Sequence, residues 1–153
     1  MDRRDEAILS LLEGDSRLTY AEVGERVGLA ASSVHDRVRK LERSGVIRGY
    51  RADIDLQKAG YPITAFVTLA LTPASAPDIA TRVLEFPLVE SCYSVAGENS
   101  YALVVRAPST RDLEDILDAL RSKLEVVTRS TIVLSIPFER RPLLHPKGSG
   151  PLG

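Results

Sequence analysis

The residues most able to do chemistry crowd into one stretch of the chain. Ser32, Ser33, His35, Asp36, Arg37, Arg39, Lys40 and Arg48 bring two hydroxyls, an imidazole, a carboxylate and four cations together. Such a set suits recognition of a polyanion, because Lys and Arg gain affinity by releasing condensed counterions, while small hydroxyls fit where base edges are read. Residues 30–52 carry six basic side chains against two acidic ones, a local charge of +4 in a chain of 153 residues whose total is −1. Residues 1–29 sum to −3 and residues 61–139 to −4. A solvated helix face would look the same on charge alone, so placement within a motif must decide. His35 either touches a base or phosphate or sits on a wet face, and both readings stand.

Other chemistries find little support. One Cys (Cys92) and two His (His35, His145) give no cluster at metal-ligand spacing, so neither a metal nor a cofactor is expected. Cys92 reads as a small hydrophobe pointing into a sheet. Residues 61–138 contain no His, which leaves few acid-base candidates there, and no enzymatic activity is expected. With 44% hydrophobic residues the chain can bury one core or two small ones. No apolar run approaches the roughly 18 to 20 residues of a membrane span, and Met1-Asp2-Arg3-Arg4-Asp5 leads into a charged helix. A cytoplasmic protein with no membrane partner is the expectation.

The elements that would position the cationic stretch are legible from their caps. Ala7, Ile8, Leu11 and Leu12 recur at helical spacing between Asp2 and Glu13, with Gly14 as the stop. Thr19 followed by Glu22 predicts a capping box for a second helix, Leu18 can staple on Val23, and Gly28 supplies a tight turn. A third helix then opens at Ala30-Ala31-Ser32-Ser33. It sets Ala30, Ala31, Val34, Val38 and Leu41 on one face and the polar set opposite or flanking, with Arg37 at the stripe's edge, before Gly45 ends it. This is helix-turn-helix spacing. Residues 46–54 read as extended, either a wing or a connecting strand.

Beyond residue 61 the period changes to two. Strands are expected from Ile63 to Leu71, Val89 to Ala96, Tyr101 to Ala107 and Thr128 to Ile136. One helix of about two and a half turns starts at Pro77; another is capped by Ser109 and Asp112. The order βαββαβ predicts an α+β chain whose C-terminal part is a ferredoxin-like antiparallel sheet with both helices on one face. Val89, Tyr93, Val95, Leu103, Val105, Ile132 and Leu134 look too numerous for two short helices to bury, so face-to-face homodimerisation is expected. The divisions are 1–50 for the helix-turn-helix domain, 51–60 for a hinge strand, 61–138 for the βαββαβ domain and 139–153 for a flexible tail.

These residues resemble the Lrp/AsnC (feast/famine) family of transcription regulators across nearly all of 2–138. The likeness lies in Asp5-Glu6-Ala7-Ile8-Leu9, Arg17, Val27-Gly28-Leu29, Arg37-Val38-Arg39-Lys40-Leu41-Glu42, Ser44-Gly45-Val46-Ile47, and Cys92-Tyr93-Ser94-Val95 before Gly97. Tyr101-Ala102-Leu103-Val104-Val105 and Thr131-Ile132-Val133-Leu134 match as well. The resemblance implies an N-terminal winged helix-turn-helix, a hinge strand and a C-terminal βαββαβ (RAM-type) domain that dimerises and often assembles further into octamers. It implies a transcriptional regulator bound to double-stranded DNA at pseudo-palindromic sites. It further implies a small-molecule effector, commonly an amino acid, held by Ser94, Gly97, Glu98, Asn99, Ser100, Thr131 and Ile132.

Three positions depart from the family pattern. Ala30 stands where the recognition helix usually has a Ser cap, and Asp36 where a basic residue is frequent. A carboxylate at 36 repels phosphate but can accept from a cytosine amino group, so altered sequence preference is expected. Ser100 replaces the Asp of a Gly-x-x-Asp loop and offers an α-ammonium no charge; Glu98 either substitutes for it or is a solvated turn residue. The rival readings are a siroheme-decarboxylase-like enzyme, which would want His or Arg in the C-terminal domain, and an effector sensor without DNA binding, suggested by Asp36.

Overall fold

The computed structural model describes residues 1–144. They divide into two compact units, Met1–Ala52 together with the returning segment 138–144, and Asp53–Pro137.

The first unit holds three helices, α1 (Arg3–Gly14), α2 (Tyr20–Val27) and α3 (Ala31–Arg43). Each start follows from a local rule. Asp2 caps α1 by accepting from the backbone N–H groups of Arg4 and Asp5, and the Asp5 carboxylate returns a bond to the Asp2 N–H. Thr19 and Glu22 form the expected capping box on α2. Gly28 then takes the left-handed conformation (φ 68°, ψ 44°) that ends α2, where a side chain would be strained. Ile8, Leu12, Val23, Val34 and Val38 close the core, with Leu18 and Ile47 packed against it. Gly24 is what lets the turn before α3 come close, since a Cβ there would lie 2.5 Å from the Leu29 carbonyl oxygen. Ala30 and Ala31, expected on the apolar face, are exposed; α3 buries its stripe only from Val34 onward.

After α3 the chain forms no strand between residues 44 and 62. Val46 and Ile47 instead donate backbone bonds to the Leu41 carbonyl at 3.0 and 3.1 Å, folding the chain back against the end of α3. Thus neither a wing hairpin nor a connecting strand is paired among the described residues.

The second unit is a four-stranded antiparallel sheet with two helices. Its elements are β1 (Ile63–Ala70), α4 (Ile79–Val83), β2 (Val89–Ser94), β3 (Tyr101–Ala107), α5 (Thr110–Leu124) and β4 (Val127–Ile132). The spatial order is β2-β3-β1-β4, as a ferredoxin-like βαββαβ chain requires. Ser109 caps α5 through the Asp112 N–H at 3.2 Å. By contrast α4 is a short turn of helix: Asp78 sits at φ 57° before it, so Pro77 lies outside, and Phe86-Pro87 follows closely. The last strand ends at Ile132 because β1 begins at Ile63; beyond the Val133 N–H, which still reaches Thr64 O at 2.9 Å, no partner strand remains.

Register decides which strand residues are covered, and it revises the expected dimer face. Ala65, Val67 and Leu69 of β1 pair with Val105, Leu103 and Tyr101 of β3 on the side where α4 and α5 build the core. Leu103 and Val105 are therefore buried, and Val89 packs partly against the same cluster. Of the apolar residues expected outside, only Tyr93 faces the open side within a strand. The open face carries instead Phe66, Val104, Tyr93 and Val127, with Phe66, Tyr93 and Val127 each more than half exposed. On that face Arg106 is buried, its Nε 2.9 Å from the Glu90 carboxylate and its Nη1 2.6 Å from Thr64 Oγ1. Cys92 pairs with Leu103 on the helix side, yet stays exposed because β2 is an edge strand; partial burial pushes its thiol above the ordinary range, away from thiolate reactivity.

Candidate nucleic-acid interface and effector loop

An α-helix places residues three and four apart on one face, and on α3 this rule separates two sets. Val34, Val38 and Leu41 turn inward. Ser32, Ser33, Asp36, Arg39, Lys40 and Arg43 are all exposed. Arg39, Lys40 and Arg43 form no ion pair with any described residue, so three cations and two hydroxyls line one solvent-facing stripe. Arg48, just past the helix, is likewise exposed. Arg43 was not among the expected contact residues, although its spacing from Arg39 and Lys40 marks it as a member of the stripe.

His35 sits at the margin of this surface. Its ring meets Tyr20 edge to face at 5.5 Å between centroids, and Nδ1 lies 3.2 Å from Asp36 Oδ1. At the N-terminus of α3, Ala30 makes no side-chain capping bond, so the missing cap is real and uncompensated by a neighbour's side chain.

Arg37 departs from its expected role as a phosphate contact. Its Nη1 donates to Asp2 Oδ2 at 2.8 Å and to Asp5 Oδ1 at 2.7 Å, tying α3 to the first turn of α1. Position 37 is at the edge of the apolar stripe, where a long side chain reaches the neighbouring helix more readily than solvent. The Asp5 N–H and then the Arg37 guanidinium hold the Asp2 carboxyl down at about 2. Burial alone would raise Asp5, but the Asp2 N–H and Arg37 outweigh it and the net shift is downward. A second unexpected pair closes the other end of the helix, where Tyr50 Oη donates to Glu42 at 2.9 Å. Burial and then this bond push the phenol up to about 12.

In the second unit the β2–β3 loop is closed by Val95 N–H to Ser100 O at 3.0 Å and Ser100 N–H to Leu69 O at 2.9 Å. Gly97 takes φ 142° within it. Glu98 reaches back to Arg129 on β4, Oε1 to Nη1 3.2 Å, with both side chains largely exposed. Of the expected effector residues, Ser94, Gly97, Glu98, Asn99 and Ser100 belong to this one loop and its β2 stem. Thr131 and Ile132 do not join them within one chain. They pair with Phe66 and Ala65, whereas the loop is tied to Leu69, so they sit roughly 10 to 13 Å further along the sheet at about 3.3 Å per residue. They also point to opposite faces. Arg129 is the β4 residue that meets the loop, and nothing in its local sequence signalled that.

The geometry of both units has counterparts. Residues 1–48 match the family model for winged helix-turn-helix DNA-binding, and residues 64–143 match that of the Lrp/AsnC ligand binding domain. The chain belongs to the Lrp/AsnC family of transcriptional regulators. Among its Lrp relatives, the HTH-type transcriptional regulator LrpA of Mycobacterium tuberculosis is 43% identical over 142 residues, covering 92% of this chain and 95% of that one. A feast or famine regulatory protein of M. tuberculosis, solved as a complex with L-methionine, superposes with a TM-score of 0.90 at 42% identity over 94% of this chain and 99% of the other. A transcriptional regulator of Neisseria meningitidis, also complexed with L-methionine, gives 0.84 at 29% identity over 94% and 96%. Within the residues of the winged helix-turn-helix match, the cationic stripe lies on α3, the third helix.

Proposed function

We propose that this Lrp/AsnC regulator grips double-stranded DNA through Ser32, Ser33, Asp36, Arg39, Lys40, Arg43 and Arg48, without catalytic activity, in the cytoplasm. The observation that carries the reading is the solvent-facing stripe of α3, where hydroxyls lie near the N-terminus and unpaired cations follow. Hydroxyls and the Asp36 carboxylate read base edges while Arg39, Lys40 and Arg43 take phosphates. Arg37 is withdrawn from this set and assigned to holding α3 on α1. A homodimer formed over Phe66, Tyr93, Val104 and Val127, the apolar part of the open sheet face, presents two recognition helices to a pseudo-palindromic site. Further assembly into octamers follows the family pattern.

The effector reading centres on the β2–β3 loop. An α-amino acid carries an ammonium for Glu98 and a carboxylate for Arg129. An exposed pair of this kind is worth at most about 1 kcal/mol, so a zwitterion can replace each partner at little cost. The relatives solved with L-methionine support an effector of this class.

The test is titration of the purified protein onto pooled genomic fragments at two salt concentrations, followed by sequencing of what is retained. A shared pseudo-palindrome with affinity falling steeply as salt rises is the expected result. No enrichment at either salt overturns DNA binding and leaves an effector sensor.

A further inference from the structure

Ser10 and Glu13 lie three residues apart on α1 and so share one face. That face holds a stretch of main chain. The two carboxylate oxygens of Glu13 accept from the backbone N–H groups of Leu143 and Leu144 at 3.1 and 2.7 Å, and Ser10 Oγ donates to the Leu144 carbonyl at 2.8 Å. A carboxylate taking two successive peptide N–H groups, with a hydroxyl on the carbonyl that follows, recognises main chain and not particular side chains.

The segment that fills this site has a shape of its own. Arg140 takes φ 51°, a left-handed conformation uncommon outside glycine, and the Arg141 guanidinium lies 5.7 Å from the centroid of the Phe138 ring. Pro142 then fixes the backbone immediately before the two docked peptide groups. One turn before Glu13, Leu9 is only 7% exposed although it stands apart from the cluster of Ile8, Leu12, Val23, Val34 and Val38. Within the tail expected from residue 139, Leu143 and Leu144 are thus bonded to α1; residues 145–153 lie outside the described residues.

We propose that Ser10 and Glu13 form a backbone-docking site on α1, and that segment 138–144 is a strap through which the C-terminal unit acts on the DNA-binding helices. The strap begins six residues beyond the end of β4, the strand that carries Arg129. At its far end it is bonded to the C-terminal half of α1. The N-terminal turn of the same helix grips α3 through Asp2, Asp5 and Arg37. A pull on the strap therefore reaches the recognition helix through one rigid element. This function of the strap rests on the reading that α3 binds DNA.

Trypsin supplies a direct probe, because the Arg140–Arg141 bond lies within the strap while the Arg141–Pro142 bond resists cleavage. The full-length protein and its Glu13→Gln, Ser10→Ala and doubly substituted variants are digested under native conditions, and the appearance of fragments that begin at Arg141 is followed by mass spectrometry, whether or not they are cut again after Lys147. None of these substitutions touches the helical core. Cleavage is expected to accelerate several-fold in Glu13→Gln and further in the double variant, with DNA affinity in the fragment titration shifted several-fold in the same order. Equal cleavage rates in all four proteins would overturn the docking site. Faster cleavage with unchanged DNA affinity would overturn the strap's action on α3. If the unsubstituted protein retains no DNA, that action falls together with the DNA-binding reading, while the cleavage rates still decide the docking.

Discussion

Arg37 of α3 donates to Asp5 of α1 across 2.7 Å, and Asp5 is among the few buried charged residues described. The arginine joins the two helices beside the apolar cluster of Ile8, Leu12, Val34 and Val38. Replacing it with Ala leaves the Asp5 carboxylate buried without its cation, which is the costly way to break a pair. The expected outcome for Arg37→Ala is a melting midpoint lowered by several degrees in circular dichroism, with a salt slope of DNA binding close to that of the parent. A parent-like midpoint with a shallower slope would return Arg37 to the phosphate contacts.

The same cluster gives the fold an acid limit. Asp2 is held at about 2 against an ordinary value of 3.8, and Asp5 is lowered too. Carboxyls depressed in the folded state stabilise it above their unfolded value and lose that contribution as pH falls through the folded one. Their contribution is therefore flat above about pH 5 and declines between about pH 4 and pH 2. Thermal melts across this range are expected to show that decline, and Arg37→Ala to make it shallower, since the backbone bond from Asp5 to Asp2 remains.

Lys40 and Arg39 have no described ion-pair partner, so their substitution tests the interface without disturbing the fold. Each change to Ala is expected to weaken binding on all sequences and to remove about 0.9 from the slope of log affinity against log salt. Asp36→Ala instead changes which sequences are retained. An unaltered motif would remove Asp36 from base reading.

The uncapped start of α3 is open to improvement. Ala30 is exposed, has the extended backbone of an N-cap (φ −67°, ψ 148°) and makes no side-chain bond. Ala30→Ser is expected to stabilise by roughly 0.5 to 1 kcal/mol, read as a rise in melting midpoint.

Gly24→Ala should do the opposite. Its new methyl would press on the Leu29 carbonyl, and relief requires backbone movement in the turn before α3, a strain of about 1 to 3 kcal/mol. Chemical denaturation would measure it, and an unchanged midpoint would mean that the turn yields freely.

Much of this architecture was legible where one residue forces a local geometry. Thr19 with Glu22, Gly28, and Ser109 with Asp112 set helix ends by bonds within a turn, and β1 was readable from its period of two up to Thr72-Pro73. Alternation could not tell which side of the sheet the helices cover, so Leu103 and Val105 were expected outside. The irregular register between Val89 and Ser91 further hides the face of β2. The cationic stripe was readable from helical spacing, but not the fate of Arg37, whose partners are 32 and 35 positions away. Glu98 and Arg129, and Glu13 with the strap, are likewise pairs that only the folded topology brings together. The length of α4 escaped because the left-handed backbone at Asp78 has no compositional mark.

The bond between Glu13 and Leu143 spans 130 positions, which sets a timetable for synthesis. At roughly 5 to 20 residues per second, α1 waits on the order of 10 s after leaving the ribosome before its strap exists. The helices can form first, but their last backbone partners arrive only some 130 residues later. A message truncated anywhere in the second unit would then yield a DNA-binding unit that lacks its final piece, however intact its three helices.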